Sequence, residues 1–150
     1  MDQYIDVVTS SMAGANGIEY CYRRLGIEGA LPLVLLQHFR GNLDNWDPAL
    51  IDALAQSREI IAFDNAGVGG STGTVPSSVA EMAHGAIAFL TALGLPQVDV
   101  LGYSLGGFVA QEDSGHRSDG GVRMVVAARS SWFTAVIHNP FRGTSWRDVR

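Results

Sequence analysis

Past the middle of the chain, Gly102-Tyr103-Ser104-Leu105-Gly106 sets one serine between two glycines, two residues to either side. A serine oxygen is a weak nucleophile until its proton is taken and the charge it creates is held. The surrounding residues answer the second need. The apolar run "QVDVLGY" (97–103) leads in and "LGGFVA" (105–110) opens as a helix, so the serine falls at a sharp strand-to-helix turn. A helix N-terminus there supplies free N–H groups and partial positive charge beside the hydroxyl. Gly102 and Gly106 leave room for close backbone passage, and Gly107 lets the helix start pack on a sheet. Ser104 is read as a nucleophile, with a structural small-residue turn as the plainer alternative.

The other residues with chemical potential are weaker signals. Asp64 precedes the glycine-rich "NAGVGGSTG" (65–73), where an acid at a strand end pins such a loop through its backbone N–H groups; the alternative is a catalytic acid. The loop itself, from Asn65 through Gly67–Gly73, reads as a turn beside a pocket rather than a phosphate cradle. A P-loop needs a lysine and the chain has none, while a dinucleotide fingerprint needs glycine where Thr72 stands. Four histidines are present. His38 follows the first strand. His84 is expected at a helix surface, His116 in a loop, and His138, like Asp119 and Asp148, has no assigned element. Cys21 is the one cysteine, which excludes an internal disulfide and a thiolate zinc cluster. No metal and no organic cofactor are expected.

Positioning these residues requires a regular frame. "LPLVLLQ" (31–37), "REIIAFD" (58–64) and "QVDVLGY" (97–103) are short continuous apolar runs, as strands buried on both faces require. Between them, "NWDPALIDALAQS" (45–57) predicts a helix with Asp47 as N-cap and Pro48 at its first position. "PSSVAEMAHGAIAFLTALGLP" (76–96) predicts a second, with Val79, Met82, Ala83, Ala86, Ile87, Leu90 and Leu93 on one apolar face and a stop at Gly94. Upstream, "GIEYCYRRLG" (17–26) suits a strand of an opening antiparallel pair. Strand–helix alternation of this kind implies right-handed crossovers and an α/β, three-layer, mainly parallel sheet. Every polar or glycine-rich stretch named above then lies at the carboxyl ends of the strands, where such sheets bind ligands.

Composition sets the outer bounds. A chain of 150 residues is one domain by length, and 47% hydrophobic with 17% charged residues describes a soluble globular protein. No apolar run nears the ~20 residues of a membrane span, and the acidic start "MDQYIDVV" lacks a signal-peptide plan. A cytoplasmic location is expected, with no membrane partner. A net charge of −5 argues against nucleic acid.

With its elements in order, the chain resembles the α/β-hydrolase superfamily over roughly residues 17–111. The resemblance is carried by "LVLLQHFRGNLDNWDP", "IIAFDNAGVGGSTG" and "AIAFLTALGLPQVDVLGYSLGG" in that order and spacing. It implies that Ser104 is the nucleophile, at the family's nucleophile elbow, and that the Leu105 N–H is one donor of an oxyanion hole. The second donor comes from the loop after Leu36. Gln37-His38 stand in the family's His-Gly places there, and Phe39 in the donor place. No cofactor is implied, and the substrate is a small-molecule carboxylic ester or related acyl compound.

The family order is serine, then acid, then histidine, and 46 residues follow Ser104. The remaining strands, cap and triad loops of that fold need more, so a truncated α/β-hydrolase fold is expected. An acid and base are then missing, leaving at best the roughly 10³–10⁴ rate enhancement over water that survives triad removal. "DSGHRSDGG" (113–121) predicts a helix end near Glu112; "VRMVVAA" (122–128) then reads as a further strand. Residues 112–150 also turn basic, with Trp132, Phe133, Phe141 and Trp146 at no regular period. The expected division is 1–111, the N-terminal part of a hydrolase domain, and 112–150, an atypical segment explained by truncation or a disrupted reading frame. Two accounts of function follow. One is an esterase-type serine hydrolase, with cofactor-free haloperoxidase chemistry as a variant. The other is a non-catalytic fragment or interaction module that self-associates through an exposed sheet edge.

Overall fold

The three apolar runs become the parallel heart of one sheet. The computed structural model describes residues 2–95, 97–116 and 122–127, with side chains up to residue 110. A 3-10 turn (Tyr4–Asp6) leads into β1 (Ser10–Ala13) and β2 (Glu19–Gly26), then β3 (Leu33–Leu36), a second 3-10 turn (Leu43–Asn45) and α1 (Pro48–Ala55). After these come β4 (Glu59–Phe63), α2 (Val79–Ala92), β5 (Val98–Tyr103), α3 (Leu105–His116) and β6 (Val122–Ala127). The strand order is β1-β2-β4-β3-β5-β6. β1–β2 and β2–β4 are antiparallel; β4–β3, β3–β5 and β5–β6 are parallel.

Period-2 alternation divides the core. On β3, Val34 and Leu36 join Phe63, Phe89 and Val109 beneath α2 and α3, while Leu33 and Leu35 join Ile51, Ala55 and Ile60 beneath α1. Helices thus cover both faces, giving three layers, and every residue of β3 and β4 is buried. The helix starts follow their sequence signals. Asp47 Oδ1 accepts from Ala49 N at 2.9 Å with Pro48 in the first turn, and Ser78 Oγ accepts from Glu81 N at 3.2 Å.

Two expectations are corrected. On α2, Phe89 is fully buried whereas Ile87 is half-buried. Phe89 lies three residues beyond Ala86 on the buried stripe, and its ring stacks on Phe63 at 4.5 Å, a partner outside any sequence window. The second correction concerns α3, which continues past Glu112 to His116, so His116 ends a helix instead of lying in a loop. Gly115 costs a helix only about 1 kcal/mol, a penalty offset by the packing of α3 on α2 and β5.

The amino-terminal end of the sheet is closed by charge pairs. Arg58 meets Asp99 at 2.6 Å and also donates to the Leu31 carbonyl; Arg24 donates to both oxygens of buried Glu59. Ala128 and the residues after it, with Trp132, Phe133, His138, Phe141, Trp146 and Asp148, lie outside the described residues, as does Asp119.

Candidate active site

Ser104 follows the last residue of β5 and holds a left-handed backbone, φ 55°. A non-glycine residue there stores roughly 1–2 kcal/mol. The flanking glycines explain how the chain affords it. A Cβ at Gly102 would collide with the carbonyl of Gly106, and one at Gly106 with the carbonyl of Leu36. The turn is closed by Gly107 N–H donating to Ser104 O at 2.9 Å. The outcome is an exposed serine at the start of α3, with the first helical N–H groups beside it.

The second loop of the site leaves β3, the parallel neighbour of β5, in a register that sets Leu36 against Gly102. Gln37 is buried and its Oε1 accepts the His38 N–H at 2.9 Å. The His38 Nδ1 lies 3.0 Å from the Phe39 carbonyl, and its ring meets Tyr103 edge-on at 5.8 Å. Tyr103 in turn meets Trp46 at 6.4 Å. His38, where the family pattern has glycine, therefore braces the loop against the residue before the serine. Phe39 is 52% exposed, and Arg40 beside it has φ 60°. Among the described residues, neither the Phe39 N–H nor the Leu105 N–H has a protein acceptor.

Asp64 does what its position suggested, and more. Oδ2 accepts the Gly70 N–H at 2.9 Å, fixing the glycine-rich loop, while Oδ1 accepts the Leu43 N–H at 2.8 Å. One carboxylate thus ties that loop to the loop carrying Phe39. Burial pushes the Asp64 pKa up, and the N–H groups of Gly70 and Leu43 pull against that rise. The Leu43 carbonyl is held as well, by the Tyr4 hydroxyl at 2.6 Å. Burial moves the Tyr4 phenol up to about 12, with Arg23 over its ring opposing. Sequence reasoning missed Tyr4, since nothing in "MDQYIDVV" signals a partner 39 residues away.

The remaining candidates are dispersed. His84 is an exposed residue of α2, as expected, and lines a groove of about 560 Å³ with Asn16, Thr74, Ser77 and Glu81. That groove lies between the β1–β2 turn and the start of α2, and no residue of the serine turn lines it. His116 closes α3, with no side chain described. Among the described residues, no group of three His, Cys, Asp or Glu is placed to hold a metal, and no helix is long and apolar enough to cross a membrane.

Comparison with known proteins agrees with this fold. The family model described as alpha/beta hydrolase fold matches residues 32–144, extending beyond residue 111, where the resemblance read from the sequence ends. A solved alpha/beta hydrolase fold protein from Chitinophaga pinensis superposes with a TM-score of 0.78 at 43% identity, covering 83% of this chain and 45% of that one. The esterase RhEst1 from Rhodococcus sp. ECU1013 gives 0.69 at 28% identity, covering 80% and 46%. Among curated proteins, a putative carbamate hydrolase RutD of Azorhizobium caulinodans is 35% identical over 88 residues, 57% of this chain and 33% of its own length. The dihydrolipoyllysine-residue acetyltransferase component of the acetoin cleaving system of Cupriavidus necator is 35% identical over 101 residues, 67% and 26%. The chain therefore spans about a quarter to a third of these curated relatives and just under half of the solved structures.

Proposed function

The chain belongs to the alpha/beta hydrolase fold family, and we propose that it is a serine hydrolase acting on a small-molecule carboxylic ester or related acyl compound. The observation that carries this reading is Ser104 itself. Left-handed strain at a strand-to-helix turn, flanked by glycines with no room for a Cβ, is kept where function needs it.

In the proposed reaction the Ser104 oxygen bonds to the acyl carbon and its proton passes to a base. The carbonyl electron pair moves onto oxygen, which the Phe39 and Leu105 N–H groups hold. Collapse expels the alkoxide, which takes the proton, and water then releases the acid. One such donor is typically worth ~10²–10³ in rate. The names of the relatives add support, since a carbamate hydrolase and an esterase both work at an acyl carbon.

The test is phosphonylation by a fluorophosphonate probe, read by intact mass, because it reports an activated serine without needing turnover. Labelling of the wild-type chain but not of Ser104→Ala supports the reading; absence of labelling, or labelling of both, overturns it. A second reading, a self-associating module, draws on β6, which has one neighbour among the described strands and so offers an edge for pairing. A concentration-dependent mass in light scattering supports it; a monomer at all concentrations removes it.

A further inference from the structure

Four arginines have described side chains, and three face a carboxylate. Arg23 meets Asp44 at 2.8 Å, Arg24 meets Glu59, and Arg58 meets Asp99 at 2.6 Å. Arg40 differs. Among the described residues it has no carboxylate within ion-pair reach, and its guanidinium lies over the Phe39 ring, 5.6 Å from the centroid. Stacking of this kind holds the guanidinium by its face and leaves its N–H edges free to bind something else.

The backbone adds an independent observation. Among the described residues, Arg40 and Ser104 are the two non-glycine residues with left-handed φ, 60° and 55°. They sit on neighbouring loops at the carboxyl ends of β3 and β5. Glycine or asparagine is the ordinary choice for such a position, so a long cation there is retained against a steric preference. Two acids that contact or belong to this loop are already engaged, Asp44 by Arg23 and Asp64 by the Leu43 and Gly70 N–H groups. Arg40 therefore sits on the loop that neighbours the serine turn, exposed and without an acidic partner among the described residues.

We infer that Arg40 is a specificity-determining residue whose guanidinium binds an anionic group on the acyl part of the substrate, so that the preferred substrates are acyl compounds carrying a carboxylate. The planar fork of arginine matches the two carboxylate oxygens. At an exposed rim the attraction is screened by salt. This inference rests on Ser104 being the nucleophile, and the experiment separates the two.

Acylation of Ser104 is measured with mono-para-nitrophenyl glutarate and with para-nitrophenyl butyrate, by nitrophenolate release and by adduct mass. In each, the Ser104 oxygen bonds to the acyl carbon, the bond to nitrophenolate breaks and the serine proton passes to solvent. The glutarate ester is expected to react about 3- to 10-fold faster in the wild-type chain at low ionic strength. That ratio is expected to fall towards one in Arg40→Gln, to be largely kept in Arg40→Lys, and to shrink in about 0.5 M salt. A wild-type ratio of one, or one that survives in Arg40→Gln, overturns the inference while leaving Ser104 as nucleophile. Failure of both esters to form an adduct at Ser104 overturns the nucleophile reading, and the inference with it.

Discussion

The two ends of the central sheet are built on opposite principles. At the amino-terminal end, buried carboxylates are neutralised in place. Asp99 is fully buried and paired with Arg58, Glu59 is buried and paired with Arg24, and Arg58 also caps the Leu31 carbonyl. At the carboxyl-terminal end, two non-glycine residues hold left-handed backbone and Phe39 and Phe108 are more than half exposed; among the described residues, two N–H groups there lack protein acceptors and one arginine lacks a carboxylate. The same strands run through both ends, so the difference is one of task. One end pairs its buried carboxylates; the other leaves an arginine and two N–H groups without protein partners among the described residues.

The largest expected effect tests the closed end. Asp99→Asn leaves the Arg58 guanidinium without its buried charge, an imbalance that typically costs about 3–5 kcal/mol. Urea denaturation should show that loss, while the folded fraction should still label at Ser104 at the wild-type rate. A slower label would mean the two ends are not separate in function. Next comes Gly106→Ala, where the added methyl strikes the Leu36 carbonyl. A loss of ~1–3 kcal/mol is expected, this time with loss of labelling, because the strain falls on the serine turn. Tyr4→Phe keeps the buried ring but leaves the Leu43 carbonyl without its donor. About 1 kcal/mol of stability is expected to go, with a disproportionate fall in labelling rate if Leu43 positions the Phe39 loop.

The smallest effect concerns pH. Because burial raises the Asp64 pKa above its ordinary 3.8, the folded chain binds that proton more tightly than the unfolded chain. Its contribution to stability then declines as pH rises through the window just above 3.8, and the burial penalty is present in full at neutral pH. Urea midpoints between pH 4 and 6 should carry this downward contribution, and Asp64→Asn should lack it.

What the sequence announced and what it withheld divide along similar lines. β3, β4 and β5 were legible because burial on both faces demands unbroken apolar runs, and α1 because Asp47-Pro48 is a local signal. Ser104 was legible because its turn is encoded within five residues. Phe89 was exchanged for Ile87 because helical spacing cannot say which flank meets Phe63. The clamp on Leu43 was illegible, since Tyr4 and Asp64 reach it from 39 and 21 residues away. Arg40 was equally hidden, because what marks it is the absence of a partner that the other described arginines have.

The placing of β3 also bears on how the chain must be made. Its two sheet neighbours, β4 and β5, both come later in the sequence. A ribosome adding ~5–20 residues per second needs several seconds more after Leu36 to complete Tyr103. Throughout that interval the nascent chain carries Leu33–Leu36, four consecutive aliphatic residues, with at least one edge unpaired. The share of product that reaches the state in which Ser104 is displayed is then expected to vary with synthesis speed as well as with the final contacts.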